Sequence, residues 1–184
     1  MGDFPLIAVL CNSAEHLLAV LNDILDFSKI EQGQFNIQKK DFRLTELVNT
    51  LDSIYRPLCE DKSVVFSIVN HLVDDVEIYT DQVRLNQIMF NLLSNALKFT
   101  HQGSISVNFE LESIFNSDKA SLIVRVKDSG IGIDENKIDA VFEPFVQAEE
   151  TTTREYGGTG LGLTIVKNLV DMLEGDIQVR SVMG

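Results

Sequence analysis

At 184 residues, 45% hydrophobic and 23% charged, the chain has the make-up of a folded globular protein, with room for a domain of about 150 residues and an appendage. Its formal net charge of −13 argues against nucleic acid as a partner, because duplex binding draws on clustered Lys and Arg. No apolar run reaches the roughly 18 residues of a bilayer span and no basic N-terminal region marks a signal peptide, so a cytoplasmic segment without direct membrane contact is expected.

In chain order, Asp3 caps a predicted helix with Pro5 in its first turn, running from Leu6 to about Glu31 before Gly33 stops it. At the helical rise it is roughly 40 Å long. Its apolar seam, Leu10, Ala14, Leu17, Leu21, Ile24 and Leu25, suits packing on another helix, within the chain or in a dimer, as well as an ordinary core-facing role. Phe35 and Ile37 alternate with polar neighbours as in a short strand, and Thr45 opens a second helix through Leu47, Val48, Leu51, Ile54, Tyr55 and Leu58. Val64 to Val69 reads as a buried strand and Glu77 to Thr80 as another. Asp81 caps a long helix that ends near Phe99, before Gly103. Two strands of period two follow, Ser104 to Leu111 and Ser121 to Val126, joined by a polar turn at Asn116, Ser117 and Asp118. A glycine-bearing segment, a short helix, the Phe142 to Phe145 stretch, a polar loop, a C-terminal helix and a last strand from Asp176 to Ser181 complete the chain. Helices and strands mix without regular βαβ alternation, which predicts an α+β protein, a two-layer α/β sandwich with a mixed sheet, preceded by one long helix. Cys11 and Cys59 lie far apart in helical, partly apolar runs, which suits reduced core thiols better than a disulfide or a metal pair.

Residues 157–164 read Gly-Gly-Thr-Gly-Leu-Gly-Leu-Thr and lead straight into an amphipathic run. Glycines let backbone N–H groups converge on an anion and the helix N-terminus adds positive potential, so the segment is built to hold phosphate. Two known phosphate loops fail here. Gly157 and Gly162 have P-loop spacing, but Leu163 stands where that loop needs Lys. The dinucleotide fingerprint fails because Ile165 stands where its third Gly belongs. The cation must come from elsewhere.

On a helical wheel from Asp81, Arg84, Gln87, Asn91, Asn95 and Lys98 fall within an arc of roughly 80°, opposite Leu85, Ile88, Met89, Leu92, Ala96 and Phe99. Asn is a mediocre helix former with no reason to recur on a merely wet face. Asn91 and Asn95, one turn apart, can offer carbonyl oxygens to Mg²⁺, which takes few protein ligands when phosphates supply the rest. Lys98 can supply the missing cation. Asp128-Ser129-Gly130-Ile131-Gly132-Ile133 ends a strand in a sharp glycine turn, placing a carboxylate where an adenine amino group can donate to it; an ordinary Asp-Ser-Gly turn into the next helix reads equally well from these residues alone.

In order and spacing these segments resemble the ATP-binding catalytic domain of sensor histidine kinases, in the superfamily shared with gyrase, MutL and heat-shock chaperones. Asp81 to Thr100 resembles the N box, Asp128 to Ile133 the first glycine box, Phe142-Glu143-Pro144-Phe145 the F box, and Gly158 to Gly162 the second glycine box. The resemblance implies a Bergerat-type fold holding ATP and Mg²⁺, with Asn95 and Asn91 at the metal, Asn91 and Lys98 near phosphate, and Asp128 on adenine. It further implies nucleotide contacts from Phe99, Gly130, Gly132, Ile133, Phe145, Arg154, Tyr156, Gly158, Thr159, Gly160, Leu161, Gly162 and Leu163, with residues 147–157 as a mobile lid. Upstream, His16 to Glu31 resembles the second helix of the family's dimerisation domain in the hybrid type, which includes quorum-sensing receptors.

The family's phosphoacceptor is a His followed by an acid, and none of His16, His71 and His101 has that context, so neither the acceptor nor its general base is expected in this chain. Residues 1–33 then read as a remnant of the helical hairpin and 34–184 as the catalytic domain, truncated before a final strand. Implied partners are ATP, a dimerisation-domain histidine of the same or a partner protomer, and a receiver domain downstream, with a homodimer expected and a parent protein anchored in the inner membrane. Two other readings remain open. An ATP-hydrolysing conformational switch of the same superfamily needs a water-activating carboxylate where this chain has Asn91, and a non-enzymatic, nucleotide-binding interaction module with decayed glycine loops is hard to square with intact glycines beside Asn95, Lys98 and Asp128.

Overall fold

A computed structural model describes residues 4–70, 76–113, 120–146 and 159–183. Helix α1 (Phe4–Glu31) leads into strand β1 (Lys40–Arg43), helix α2 (Leu44–Asp61), strands β2 (Val64–Asn70) and β3 (Glu77–Thr80), helix α3 (Gln82–Phe99), strands β4 (Gly103–Ser113) and β5 (Ala120–Asp128), two short 3₁₀ turns (Glu135–Lys137 and Asp139–Phe142) and helix α4 (Gly162–Met172). Strands β2, β4 and β5 form a mixed sheet, β2 parallel to β4 and β4 antiparallel to β5, while β1 and β3 make a separate antiparallel pair. Among the described residues no helix is long and apolar enough to cross a membrane.

Period-two patterning builds the sheet face of the core. Val64 and Phe66 from β2 and Ile105, Val107 and Phe109 from β4 point inward, and Leu44, Leu47, Leu51, Tyr55 and Cys59 of α2 with Leu85, Met89, Leu93 and Ala96 of α3 cover them. The Cys59 thiol is free and buried, as expected of a core thiol; the side chain of Cys11 lies outside the described residues. A second cluster is centred on α4, where Leu161, Ile165, Val166 and Leu169 pack against Ile88 of α3 and draw in Phe27, Ile30 and Phe35. Helix α3 therefore sits between two apolar clusters.

The elements begin and end for local reasons. Gly33 at φ +64° stops α1 in a Schellman arrangement, with the Gly33 amide bonded to the Ile30 carbonyl (2.9 Å) and the Gln34 amide to that of Lys29 (2.9 Å). Asp81 caps α3 as expected, accepting the Arg84 amide at 3.2 Å, and its second oxygen accepts the Gln38 amide at 2.8 Å.

Several expectations need correction. Residues 35–37 form no strand: the stretch from Gln34 to Lys39 has no ladder partner among the described residues, and β1 follows it at Lys40. Strand β2 is buried on one side only, with Val65 67% and Val69 38% exposed. The short helix after Ile133 is a pair of 3₁₀ turns. No strand is formed over Asp176 to Ser181, where the alternation has no partner strand among the described residues. The predicted cap Asp3 and the turn at residues 116–118 lie outside the described residues.

Asp81 satisfies two backbone donors while only 5% exposed. Asp81→Ala is expected to lower stability by about 2 kcal/mol and Asp81→Asn by less, because the amide keeps an acceptor for the cap. Urea denaturation of both variants checks this, and equal loss in the two would show that the cap geometry is not what matters.

Candidate functional site

The polar arc of α3 is half-buried along its whole length, and its two ends do different work. Near the start, the Arg84 guanidinium lies 4.1 Å from the centre of the Phe35 ring and donates to Gln87 Oε1, and Gln87 in turn donates to Asp26 Oδ2 of α1 at 2.7 Å. These groups fasten α3 to α1 and to the segment after it. Asn91, Asn95 and Lys98 lie beyond that joint on the same arc.

Asn91 faces the start of α4. A Cβ at Gly162 would stand 3.1 Å from Asn91 Oδ1, so glycine there keeps the side-chain amide against the helix N-terminus. Helix α4 has no side-chain cap on its first residue, which leaves first-turn amides of Gly162, Leu163 and Thr164 without helical acceptors. Gly160 has φ +69° and accepts the Phe145 amide at 3.1 Å; a Cβ on it would sit 3.0 Å from the Phe145 backbone. Phe145 itself adopts φ +65°, and its ring, 66% exposed, meets Phe27 of α1 edge-on at 6.0 Å. Thr159 accepts the Leu161 amide at 3.1 Å and donates to Asp23 Oδ2 at 2.9 Å. Leu161 is fully buried and Leu163 half-buried.

The other end of α3 meets the first glycine turn. The Ile131 amide donates to the Phe99 carbonyl at 3.3 Å, and a Cβ on Gly130 would lie 2.5 Å from that same oxygen. Asp128 Oδ1 accepts the Gly130 amide at 2.9 Å, closing an Asx turn at the end of β5. Gly132, at φ +74°, passes beside the Val182 carbonyl, and the Ile133 amide donates to Ser181 Oγ at 2.8 Å. Lys98 Nζ lies 4.9 Å from the centre of the Phe99 ring, and burial lowers its pKa below the ordinary lysine value. From Asn91 to Phe99 is about 12 Å along the helix axis, a span comparable with an extended nucleotide.

Two buried hydroxyls mark these same ends. Thr164 Oγ1 in the first turn of α4 and Thr100 Oγ1 at the C-cap of α3 have no hydrogen-bond partner among the described residues. Among those residues no group of three or more His, Cys, Asp or Glu could hold a metal. Among the described residues the expected site holds amide and hydroxyl oxygens and the Asp128 carboxylate but no cluster of carboxylates, a donor set that suits an ion bringing other ligands of its own.

Of the residues expected in a site, the structure groups Asn91 with Gly162 and the Thr159–Leu161 turn, and Phe99 with Gly130 and Asp128. It places Asn95 and Lys98 on the arc between. Arg154, Tyr156, Gly158 and the proposed lid at 147–157 lie outside the described residues, as does His71; His101 is exposed. The sequence reading missed Asp23, Asp26 and Phe27 of α1, which touch Thr159, Gln87 and Phe145.

A helix with a polar arc, covered by a mixed sheet and flanked by two glycine turns, defines an ATPase-type α/β sandwich. The chain belongs to the histidine kinase-, DNA gyrase B- and HSP90-like ATPase family, which matches residues 80–184. It is 65% identical over 178 residues to the autoinducer 2 sensor kinase/phosphatase LuxQ of Vibrio harveyi, a match covering 97% of this chain and 21% of that protein. To the sensor protein GacS of Pseudomonas syringae pv. syringae it is 36% identical over 181 residues, 98% of this chain and 20% of the relative. Full-length ShkA, solved in complex with AMPPNP, superposes with a TM-score of 0.81 at 25% identity, over 100% of this chain and 37% of that one. The chain thus spans about a fifth of the length of the named sensor proteins, and it corresponds to the catalytic ATPase part of a sensor histidine kinase, as the four motifs suggested.

The Asp23 carboxyl is raised above its ordinary value of 3.8, chiefly by burial, with the Thr159 hydrogen bond pulling it down and Asp26 pushing it up. A carboxyl raised in the folded state stabilises that state when protonated; the contribution is complete below the unfolded value and is lost as pH rises through the folded one. Asp23→Asn carries no such term. Its stability relative to the parent is expected to improve from about pH 4 to about pH 7 in thermal unfolding, whereas a relative decline over that range would contradict the assignment.

Proposed function

We propose that the chain binds Mg-ATP between α3 and the two glycine turns, and that in the whole protein the γ-phosphate passes to a histidine in two-component signalling. The observation that carries this reading is the face-to-face placement of Asn91 and Gly162, where the missing Cβ leaves a side-chain amide and a helix N-terminus converging on one spot. The first-turn amides of Gly162, Leu163 and Thr164 and the Lys98 ammonium take the phosphates, and Asp128 takes the adenine amino group. A phosphate beside Lys98 would return to its ammonium part of what burial has cost it. Mg²⁺, held through Asn95 and Asn91, supplies charge neutralisation at the phosphates. The chain's own contribution is positioning, which is most of what phosphoryl transfer asks of a protein.

Support comes also from the ShkA structure, whose partner molecule is AMPPNP. Residues 1–33 serve in this reading as the second helix of a dimerising hairpin and 34–184 as the catalytic domain. The whole protein adds the acceptor histidine, a receiver downstream and an inner-membrane anchor. Hydrolysis in place of transfer is disfavoured because Asn91 holds the place of the water-activating carboxylate.

Calorimetry with AMPPNP and Mg²⁺ tests the site. Asn95→Ala is expected to weaken binding at least about tenfold while leaving nucleotide binding without metal nearly unchanged. Equal affinities for the two proteins with Mg²⁺ present would remove Asn95 from the metal site. Incubation with γ-labelled ATP is expected to leave this chain unlabelled, since none of its histidines is followed by an acid; a stable phosphohistidine on it would overturn that assignment.

A further inference from the structure

Past the last β4–β5 partners, Ile105 and Asp128, the two strands stay joined by one more rung. The Ser129 amide donates to the Ser104 carbonyl at 3.0 Å, and the Ser104 amide donates back to the Ser129 hydroxyl oxygen at 2.9 Å. That hydroxyl in turn donates to the Gln102 carbonyl at 3.4 Å. One side chain thereby replaces a backbone carbonyl and closes the rung where the strand has already turned away. Gly103 makes room for it. Its φ is +107°, and a Cβ there would stand 2.1 Å from Ser129 Oγ.

We infer that Ser129, seated against Gly103, is the positioning residue for base selection at Asp128. This rests on the reading of Asp128 as the adenine partner. The Asx turn ties Oδ1 to the Gly130 amide, which leaves Oδ2 as the acceptor for an incoming donor. Asp128 is exposed and sits at the end of a strand, so the direction of that oxygen depends on what holds the backbone on either side. On the far side, the Ile131 amide is tied to the Phe99 carbonyl. On the near side stands the Ser129 rung, which fastens the strand end to the turn following α3. A carboxylate held between two such ties accepts from an exocyclic amine and repels a carbonyl oxygen at the same place, so its placement separates adenine from guanine nucleotides. Without the rung, Asp128 keeps its charge and its Asx turn and loses its fixed direction.

The experiment compares AMPPNP, GMPPNP and inorganic tripolyphosphate, each with Mg²⁺, on the full chain carrying Ser129→Ala, Ser129→Thr or no change. The unchanged chain is expected to prefer AMPPNP. Ser129→Ala should weaken AMPPNP about tenfold, leave GMPPNP and tripolyphosphate within about twofold, and so collapse the preference. Ser129→Thr, which keeps the hydroxyl, should restore it. A preference undiminished in Ser129→Ala overturns the inference, and so does one that Ser129→Thr fails to restore. If the unchanged chain binds both nucleotides equally, the assignment of Asp128 to adenine falls first, a result distinct from loss of the rung. Should Ser129→Ala lose tripolyphosphate binding and its cooperative unfolding, the isosteric pair Ser129→Thr and Ser129→Val decides: only the hydroxyl-bearing member is expected to keep the preference, and equal preferences in the two overturn the inference.

Discussion

Helix α3 is held between two apolar clusters, and that constraint shapes everything around the cleft. Leu85, Met89, Leu93 and Ala96 face the sheet, while Ile88 and the partly buried Leu92 face α4. A helix covered on two sides has a single arc left for polar groups, and on α3 that arc holds Arg84, Gln87, Asn91, Asn95 and Lys98. Rotation of the helix would expose one cluster or the other, so packing alone fixes where the amides point. The glycine turns then meet the helix at defined heights. The Phe99 carbonyl receives Ile131 at the C-terminal end, and Asn91 stands against Gly162 two turns earlier. A Cβ on Gly130 would collide with the Phe99 carbonyl, and one on Gly162 would press on the Asn91 amide, which favours glycine at both points.

The charge of the whole molecule and the polarity of the uncapped α4 N-terminus point in opposite directions. A net charge of −13 would repel a triphosphate, yet long-range repulsion is screened beyond about 10 Å at moderate salt, while first-turn amides and a half-buried ammonium act at contact distance. The ion pairs of the structure, such as Lys39 with Glu174 and Arg43 with Glu77, lie at the surface and contribute little to stability. Asp23 adds a half-buried carboxylate beside the start of α4, bonded to Thr159 of the turn before that helix.

What the sequence shows of this fold follows the kind of signal each element leaves. α2, α3, β4 and β5 announce themselves by periodicity because each buries one continuous face. β1 escapes notice, since Lys-Asp-Phe-Arg offers only Phe42 to the core and is defined by its pairing with β3. The opposite error occurs at Phe35 to Ile37 and Asp176 to Ser181, where alternation is real but no strand among the described residues pairs with it. Alternation reports one-sided burial, and pairing needs a partner that the local sequence does not name. Phe35 and Ile37 illustrate this: Phe35 packs into the second cluster and beneath Arg84, yet the chain around it is irregular. At the site, the motif glycines and the amide arc were readable because each has a local chemical reason. Asp23 was not, because an acid on an apolar helix reads as its solvated side until the fold brings Thr159 to it.

That contact ties the geometry of the turn before α4 to the position of α1. Thr159 uses its one hydroxyl twice, donating its proton to Asp23 and accepting from the Leu161 amide. Phe145, bonded to Gly160, lies edge-on to Phe27, and Gln87 on the polar arc donates to Asp26. Asp23, Asp26 and Phe27, on one side of α1, thus reach Thr159, Gln87 and Phe145 in turn. A shift of the helix by a single turn would break all three contacts together, and a rearrangement of Thr159 or Phe145 would be felt at α1 in equal measure, because coupling between two contacts is reciprocal. The apolar contacts of Phe27 and Ile30 therefore hold α1 near the second cluster, and the polar ones from Asp23 and Asp26 set its register.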